Sequence, residues 1–230
     1  VKVDGEDYTD ELLQILYDWP ASGGTPLLDA LEEVGEYFAD SDTDDWSRNL
    51  ASPYASEEDG GGCQQSFAIL MTDGYYNSGG FERYRDDNDD TSYVDADGDY
   101  LYASTYDKTT LADIAMHFYE NDLNTSLSNN VKTSPEETET YDDPADWQHM
   151  VTYTVSIGLN GTLDPDDYEL RVNAATPNYP AWPNPANDQP TTIDDLWHAA
   201  VNGRGKFLNA SNPDTLVQSL LAIIDNIAKR

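Results

Sequence analysis

Apolar positions along this chain gather in short clusters between long polar stretches, and the spacing inside each cluster names an element. Asp10 to Trp19 carries Leu12, Leu13, Ile15, Leu16 and Trp19, the pattern of a short amphipathic helix. Ser22-Gly23-Gly24-Thr25-Pro26 follows as a compact turn, with Thr25 placed to cap a helix and Pro26 suited to its first position. Leu27, Leu28, Leu31, Val34, Tyr37 and Phe38 then recur at helical spacing. Phe67 to Met71 is continuously apolar and stops at Thr72-Asp73-Gly74, as a strand buried on both faces of a parallel sheet does. Thr110 opens a helix through Asn121 with Leu111, Ile114, Ala115 and Phe118 on one face. Val151 to Ile157 alternates as a second strand. Thr192 is expected to cap a helix that ends at Asn202-Gly203, and Lys206 to Leu208 reads as a third strand. Asn212-Pro213 starts a last helix, whose expected buried stripe is Leu216, Leu220, Ile223, Ile224 and Ile227.

Helices alternating with strands specify parallel βαβ units. The expected fold is therefore α/β, a doubly wound, mostly parallel sheet with flanking helices, in one domain spanning 1–230. Acidic, aperiodic segments at about 40–62, 75–108 and 160–191 read as long loop insertions. In such a sheet ligands sit beyond the carboxyl ends of the strands, which is where Thr72-Asp73-Gly74 lies.

Charge narrows the partners. The chain has 11 Lys and Arg against 45 Asp and Glu, a net charge of -34 that repels nucleic acid and anionic membrane. The acidity fits a solvated surface for a saline habitat, a set of divalent-cation sites, or an attractor for basic partners. No stretch approaches the roughly 20 apolar residues of a membrane span. The chain opens on Val1 with no signal peptide in view, and is read as a processed product or excised domain. Cys63 is its only cysteine, so it is a small buried residue or pairs outside this segment.

Enzyme signatures are missing from the sequence: no G-x-S-x-G elbow, P-loop, G-x-G-x-x-G or H-E-x-x-H occurs. So many acids are present that no pair can be singled out for glycoside hydrolysis. His117, His149 and His198 belong to different elements and lack zinc spacing. Asp95-Ala96-Asp97-Gly98-Asp99 resembles the opening of a calcium loop. Tyr100 and Tyr106 stand where an EF-hand needs Gly and Glu, which leaves Asp95, Asp97 and Asp99 as a looser candidate site. Thr25 and Asp73 are hard oxygen donors in two loops, the kind Mg²⁺ or Ca²⁺ prefers.

Thr25 in Gly-Gly-Thr-Pro-Leu and Asp73 in Ile-Leu-Met-Thr-Asp-Gly make the chain resemble a von Willebrand factor A domain. That family binds a divalent ion through an Asp-x-Ser-x-Ser loop, a Thr and an Asp. The resemblance makes Thr25 and Asp73 the second and third of these elements. The first is absent, so the domain reads as incomplete at its N-terminus, with the first strand upstream of Val1.

Four segments narrow the likeness to the PilC/PilY proteins of type IV pilus biogenesis and adhesion. They are Cys63 to Asn77, Leu111 to Tyr119, Trp147 to Val155, and Asp195 to Gly205 with its Trp-His-Ala-Ala-Val-Asn-Gly. The resemblance implies a non-enzymatic protein of the bacterial surface or pilus tip. It also implies minor pilins or a surface receptor as partners, and a C-terminal β-propeller in the same full-length protein. Metal-assisted protein recognition through Mg²⁺ or Ca²⁺ is the leading expectation. The alternative is a passive scaffold of the pilus tip, contacting its partners through the Tyr-rich insertion. A secreted glycan hydrolase is the third reading.

Overall fold

A computed structural model describes residues 2–3, 6–18, 24–39, 53–77, 84, 91–133 and 143–230. Trp19, the Ser22-Gly23 half of the turn and parts of the first two insertions lie outside the described residues. The elements are β1 (Lys2–Val3), β2 (Glu6–Asp7), α1 (Thr9–Asp18), α2 (Leu27–Ala39), β3 (Ser66–Thr72), α3 (Leu111–Glu120), β4 (Met150–Ile157), α4 (Thr191–Asn202), β5 (Arg204–Ala210) and α5 (Pro213–Lys229).

Strands β3, β4 and β5 form a parallel sheet in that order, and β1 pairs with β2 in a small antiparallel ribbon. The α/β class, with helices flanking a parallel sheet, is thus as the sequence pattern requires. Alternation along β4 decides which layer lies where. Val151, Tyr153 and Val155 pack with Ala210 and Ile223 on the side covered by α5. Met150 joins the opposite core with Leu31, Ile114, Phe118 and Leu196 of α2, α3 and α4. The Thr154 hydroxyl, on that same side, donates to the Leu196 carbonyl at 2.7 Å. The strand is buried along nearly its whole length, which explains its run of β-branched and aromatic residues.

Helix ends follow from local chemistry. Thr110 and Asp113 form a reciprocal capping box at α3, and Asn212 and Thr215 form another at α5. Two sequence expectations need correction here. Thr192 does not cap α4; Pro190 occupies the cap position, and the Thr192 hydroxyl donates to the Gln189 carbonyl at 2.8 Å. Ile224 is 58% exposed rather than buried, because Ile223 faces the sheet and its neighbour in sequence turns about 100° away from it. Leu12, Leu13 and Ile15 of α1 are likewise exposed.

Gly205 lets β5 approach β4 at the register shift between Thr152 and Thr154. A Cβ there would lie 2.0 Å from the Thr152 carbonyl oxygen, a backbone atom that cannot turn aside. Gly205→Ala is therefore expected to cost about 2–3 kcal/mol or more through overpacking, read as a lower urea midpoint at unchanged slope.

Candidate functional site

The loop leaving β3 and the loop entering α2 meet at Asn77. Its side-chain Oδ1 accepts from the Thr25 backbone N at 3.2 Å, and its own N donates to the Thr25 carbonyl at 3.3 Å. The turn between them is closed by Thr72, whose hydroxyl donates to the Gly74 carbonyl and accepts from the Gly74 N. Thr25 is half-buried and Asp73 exposed. The structure thus places the two sequence-selected loops side by side at the carboxyl end of β3, joined by protein groups. Asn77 was not singled out in the sequence. An Asn shortly after an Asp-Gly turn is the signal that points to it.

Tyr76 anchors the same loop from below. Its hydroxyl donates to Asp195 of α4, whose carboxylate also accepts from the Leu111 N at 2.9 Å and the Ala112 N at 3.3 Å. Asp195 therefore fills the amino end of α3, where orphan N–H groups and the helix dipole favour an anion. Burial dominates nonetheless and pushes the Asp195 carboxyl up to about 6, against the lowering effect of its donors.

The expectation of a bound Mg²⁺ or Ca²⁺ is overturned. Among the described residues, no group of three or more His, Cys, Asp or Glu is placed to hold a metal ion. Asp73 is exposed and Thr25 half-buried in the neighbouring loop, and no second carboxylate, His or Cys completes a group of three with them among the described residues. In the candidate calcium loop Asp95 serves its own backbone. One oxygen accepts from the N–H groups of Asp97, Gly98 and Asp99 at 2.9–3.0 Å, and the other accepts from the Tyr179 N at 2.8 Å. Desolvation pushes the Asp95 carboxyl up, but these four donors outweigh it and hold it below its ordinary value. Crowding runs the other way at Asp99, raised first by desolvation and then by Asp95 and Asp97. Asp97 is exposed.

The described residues of the second and third insertions form a layer on α3 and α4. Leu101 and Tyr102 from one, and Leu170, Tyr179 and Trp182 from the other, share a core with Met116, Tyr119, Trp197 and Val201. The Trp-His-Ala-Ala-Val-Asn-Gly stretch is what holds them. His198 stacks on Trp182 at 4.1 Å and 11°, and its Nε2 contacts the Tyr102 carbonyl at 2.5 Å. A carbonyl only accepts, so Nε2 carries the proton; burial pulls the ring down to about 3 and keeps it neutral. Asn202 donates to the same carbonyl at 3.2 Å, and Trp182 donates to the Leu101 carbonyl at 3.0 Å. The Arg204 guanidinium lies between the rings of Tyr102 and Tyr119, at 3.9 and 4.4 Å from their centroids. His117 is half-buried beside Tyr84, whose ring lies 4.2 Å away. His149 packs against Tyr119 in another cluster, so the three histidines make no common centre. Cys63 is an exposed free thiol.

This fold and loop arrangement define a von Willebrand factor A-like α/β domain, with a cross-linked loop cluster where the family places its ion. The chain is homologous to the PilY1/PilC family of type IV pilus proteins. It is 34% identical over 233 residues to the type IV pilus biogenesis factor PilY1 of Pseudomonas aeruginosa strain UCBPP-PA14, a match covering 92% of this chain and 19% of that protein. The PilY1 proteins of strains PAK and PAO1 are 31% and 30% identical, each over 96% of this chain and 21% of their own length. The chain thus spans about a fifth of the curated relatives it matches. No protein-family model matches the chain, and no solved structure gives a significant match.

Proposed function

We propose that this chain is a non-enzymatic scaffold module of the bacterial surface that acts in type IV pilus assembly and adhesion without a bound metal. The observation that carries it is that, among the described residues, no group of three or more His, Cys, Asp or Glu is placed to hold a metal ion. Thr25 is tied to Asn77 through its backbone and Asp95 accepts from its own loop, so both loops brace the fold. The relatives' description as pilus biogenesis factors supports the setting. Among the described residues no helix is long and apolar enough to cross a membrane.

The contact surface in this reading is the insertion layer, where Tyr93, Val94 and Tyr100 stand 38–51% exposed on a braced base. Aromatic side chains held on a rigid support lose little entropy on binding. The partners are minor pilins or a surface receptor protein. The test uses the full-length protein in cells that assemble pili. Replacing Tyr93, Val94 and Tyr100 together by Ser is expected to reduce surface piliation or attachment at least tenfold, while Asp73→Ala leaves both unchanged. Loss of function in Asp73→Ala with a silent triple variant would overturn the proposal.

A further inference from the structure

Beside Phe207 to Asn209, the edge of β5 opens onto a cavity of about 550 Å³, walled on the other side by the loop from Asn160 to Asp166 and floored by Ile193 and Trp197 of α4. Phe207, Leu208 and Asn209 line it in succession. Consecutive strand residues point to opposite faces of a sheet, so a cavity touched by three in a row runs along the edge. A second hollow of about 330 Å³ continues it past Tyr168 and shares Pro165, Trp197 and Phe207. The volume lies within the range of sites that take ligands.

Backbone alternation says what the edge offers. The Ala210 carbonyl bonds to the Gly158 N on the β4 side, and Phe207 and Asn209 are the partners of Thr154 and Ser156 in the parallel register. In that pattern the N–H and C=O of Phe207 and Asn209 point away from β4 and into the groove. The Asn209 side chain clasps the loop instead, donating to the Leu159 carbonyl at 2.8 Å and to Asn160 Oδ1 at 2.7 Å. The clasp holds the far wall in place while leaving the edge row open.

The first cavity is apolar below and acidic at its rim, whereas the second hollow also carries Glu169, Arg171 and Lys206. Asp164 and Asp166 stand exposed on the wall. Asp164 Oδ1 accepts from the Asp166 N at 3.1 Å, and neither carboxylate is in an ion pair among the described residues. Asp194, also in the lining, is spent on Thr162 and Leu163.

We infer that β5 accepts an extended segment of a partner protein as a fourth parallel-sheet neighbour, one whose side chains alternate between apolar and basic residues. The segment's backbone would pair with Phe207 and Asn209, its apolar side chains would lie toward Trp197 and Phe207, and a Lys or Arg would meet Asp164 and Asp166. Main-chain pairing supplies affinity in this mode and the alternate pockets supply selectivity. The inference gives the scaffold reading above a specific docking edge, and rests on that reading only for its biological setting.

The test uses the 230-residue chain, labelled for amide exchange, with a capped seven-residue peptide alternating valine and lysine. The Val/Glu counterpart and an N-methylated Val/Lys peptide serve as controls. At saturating Val/Lys peptide, exchange at the Phe207 and Asn209 amides should slow at least tenfold, and neither control should produce this. Asp166→Lys should weaken Val/Lys binding at least tenfold, and Asp164→Asn, which keeps the acceptor for the Asp166 N, about threefold. Unprotected Phe207 and Asn209 amides, or affinity indifferent to Asp166→Lys, would sink the inference, because binding would then be diffuse attraction to an acidic surface. Neither failure touches the piliation test of Tyr93, Val94 and Tyr100, so the two proposals fall separately.

Discussion

Replacing Asp143 by Ala is expected to destabilise the chain by about 3–5 kcal/mol, the scale for removing one partner of a buried ion pair. Asp143 and Arg230 are each almost fully buried, and the Arg230 guanidinium donates to the Asp143 carboxylate and to the Arg204 carbonyl. Arg230 Nε reaches Asn226 Oδ1 at 3.4 Å, and the Tyr153 hydroxyl donates to that same oxygen at 2.5 Å. His149 Nε2 lies 3.4 Å from the other Asp143 oxygen. One carboxylate thus fixes the end of α5, the turn into β5 and the start of β4. Without it a guanidinium remains buried and uncompensated.

Burial pushes the Asp143 carboxyl up, but His149 and Arg230 outweigh it and hold the group below its ordinary value. A lowered folded pKa contributes stability that is present above the unfolded pKa and lost as pH falls through the folded one. Urea midpoints of wild type and Asp143→Ala should therefore converge on acidification below about pH 4. A double variant, Asp143→Leu with Arg230→Met, should recover much of the loss at neutral pH, since it leaves no charge behind. Equal destabilisation of the single and double variants would show that packing, not the ion pair, accounts for the loss.

Much of the framework could be read from apolar spacing, because local rules decide it. Phe67 to Met71 and Val151 to Ile157 declare themselves as strands by length and composition, although Ile69 and Met71 stand exposed, so β3 is not buried on both faces as its apolar run suggests; Thr110 and Asn212 declare themselves by capping chemistry. Strand β5 is harder to read: only Lys206 to Leu208 looks like a strand, while Arg204, Gly205, Asn209 and Ala210 complete it alongside β4. The insertion layer was illegible for a physical reason. It is fixed by bonds such as Asp95 to Tyr179 and Trp182 to Leu101, between residues 84 and 81 positions apart, and no local period records them.

The candidate site shows the same division. Thr25 and Asp73 could be picked out because their loops have turn and cap chemistry. The joining of the two loops could not, because it depends on Asn77 meeting the Thr25 backbone across 52 positions. An acid-rich Asp95-Ala96-Asp97-Gly98-Asp99 looks the same whether its carboxylates face a cation or its own N–H groups. The four bonds to Asp95 exist only once the loop is folded.

Asp195 should respond to pH with the sign opposite to Asp143. Its carboxyl is raised from 3.8 to about 6, so the native state holds the proton more tightly than the unfolded chain does. Stability from this group is then greatest below about pH 4 and is lost as pH rises through 6. The general repulsion among the many acids acts in the same direction, so wild type alone cannot isolate the effect. The difference between wild type and Asp195→Asn can. The variant retains a carbonyl acceptor for the Leu111 N, keeps the side-chain volume and carries no charge to bury. Its stability relative to wild type should rise by about 2–3 kcal/mol between pH 4 and pH 7, following the 1.4 kcal/mol that each pKa unit is worth. Asp195→Ala should lie below wild type throughout, by about 3 kcal/mol or more at pH 7 and further below at pH 4, because the Leu111 and Ala112 N–H groups and the Tyr76 hydroxyl lose their common acceptor in a buried place. The same loss should loosen the Asp73 to Asn77 loop, visible as faster amide exchange at Asn77 and Thr25 in the Ala variant. A flat difference between wild type and Asp195→Asn from pH 4 to 7 would mean that the α3 amino end and Tyr76 stabilise the charge as well as water does.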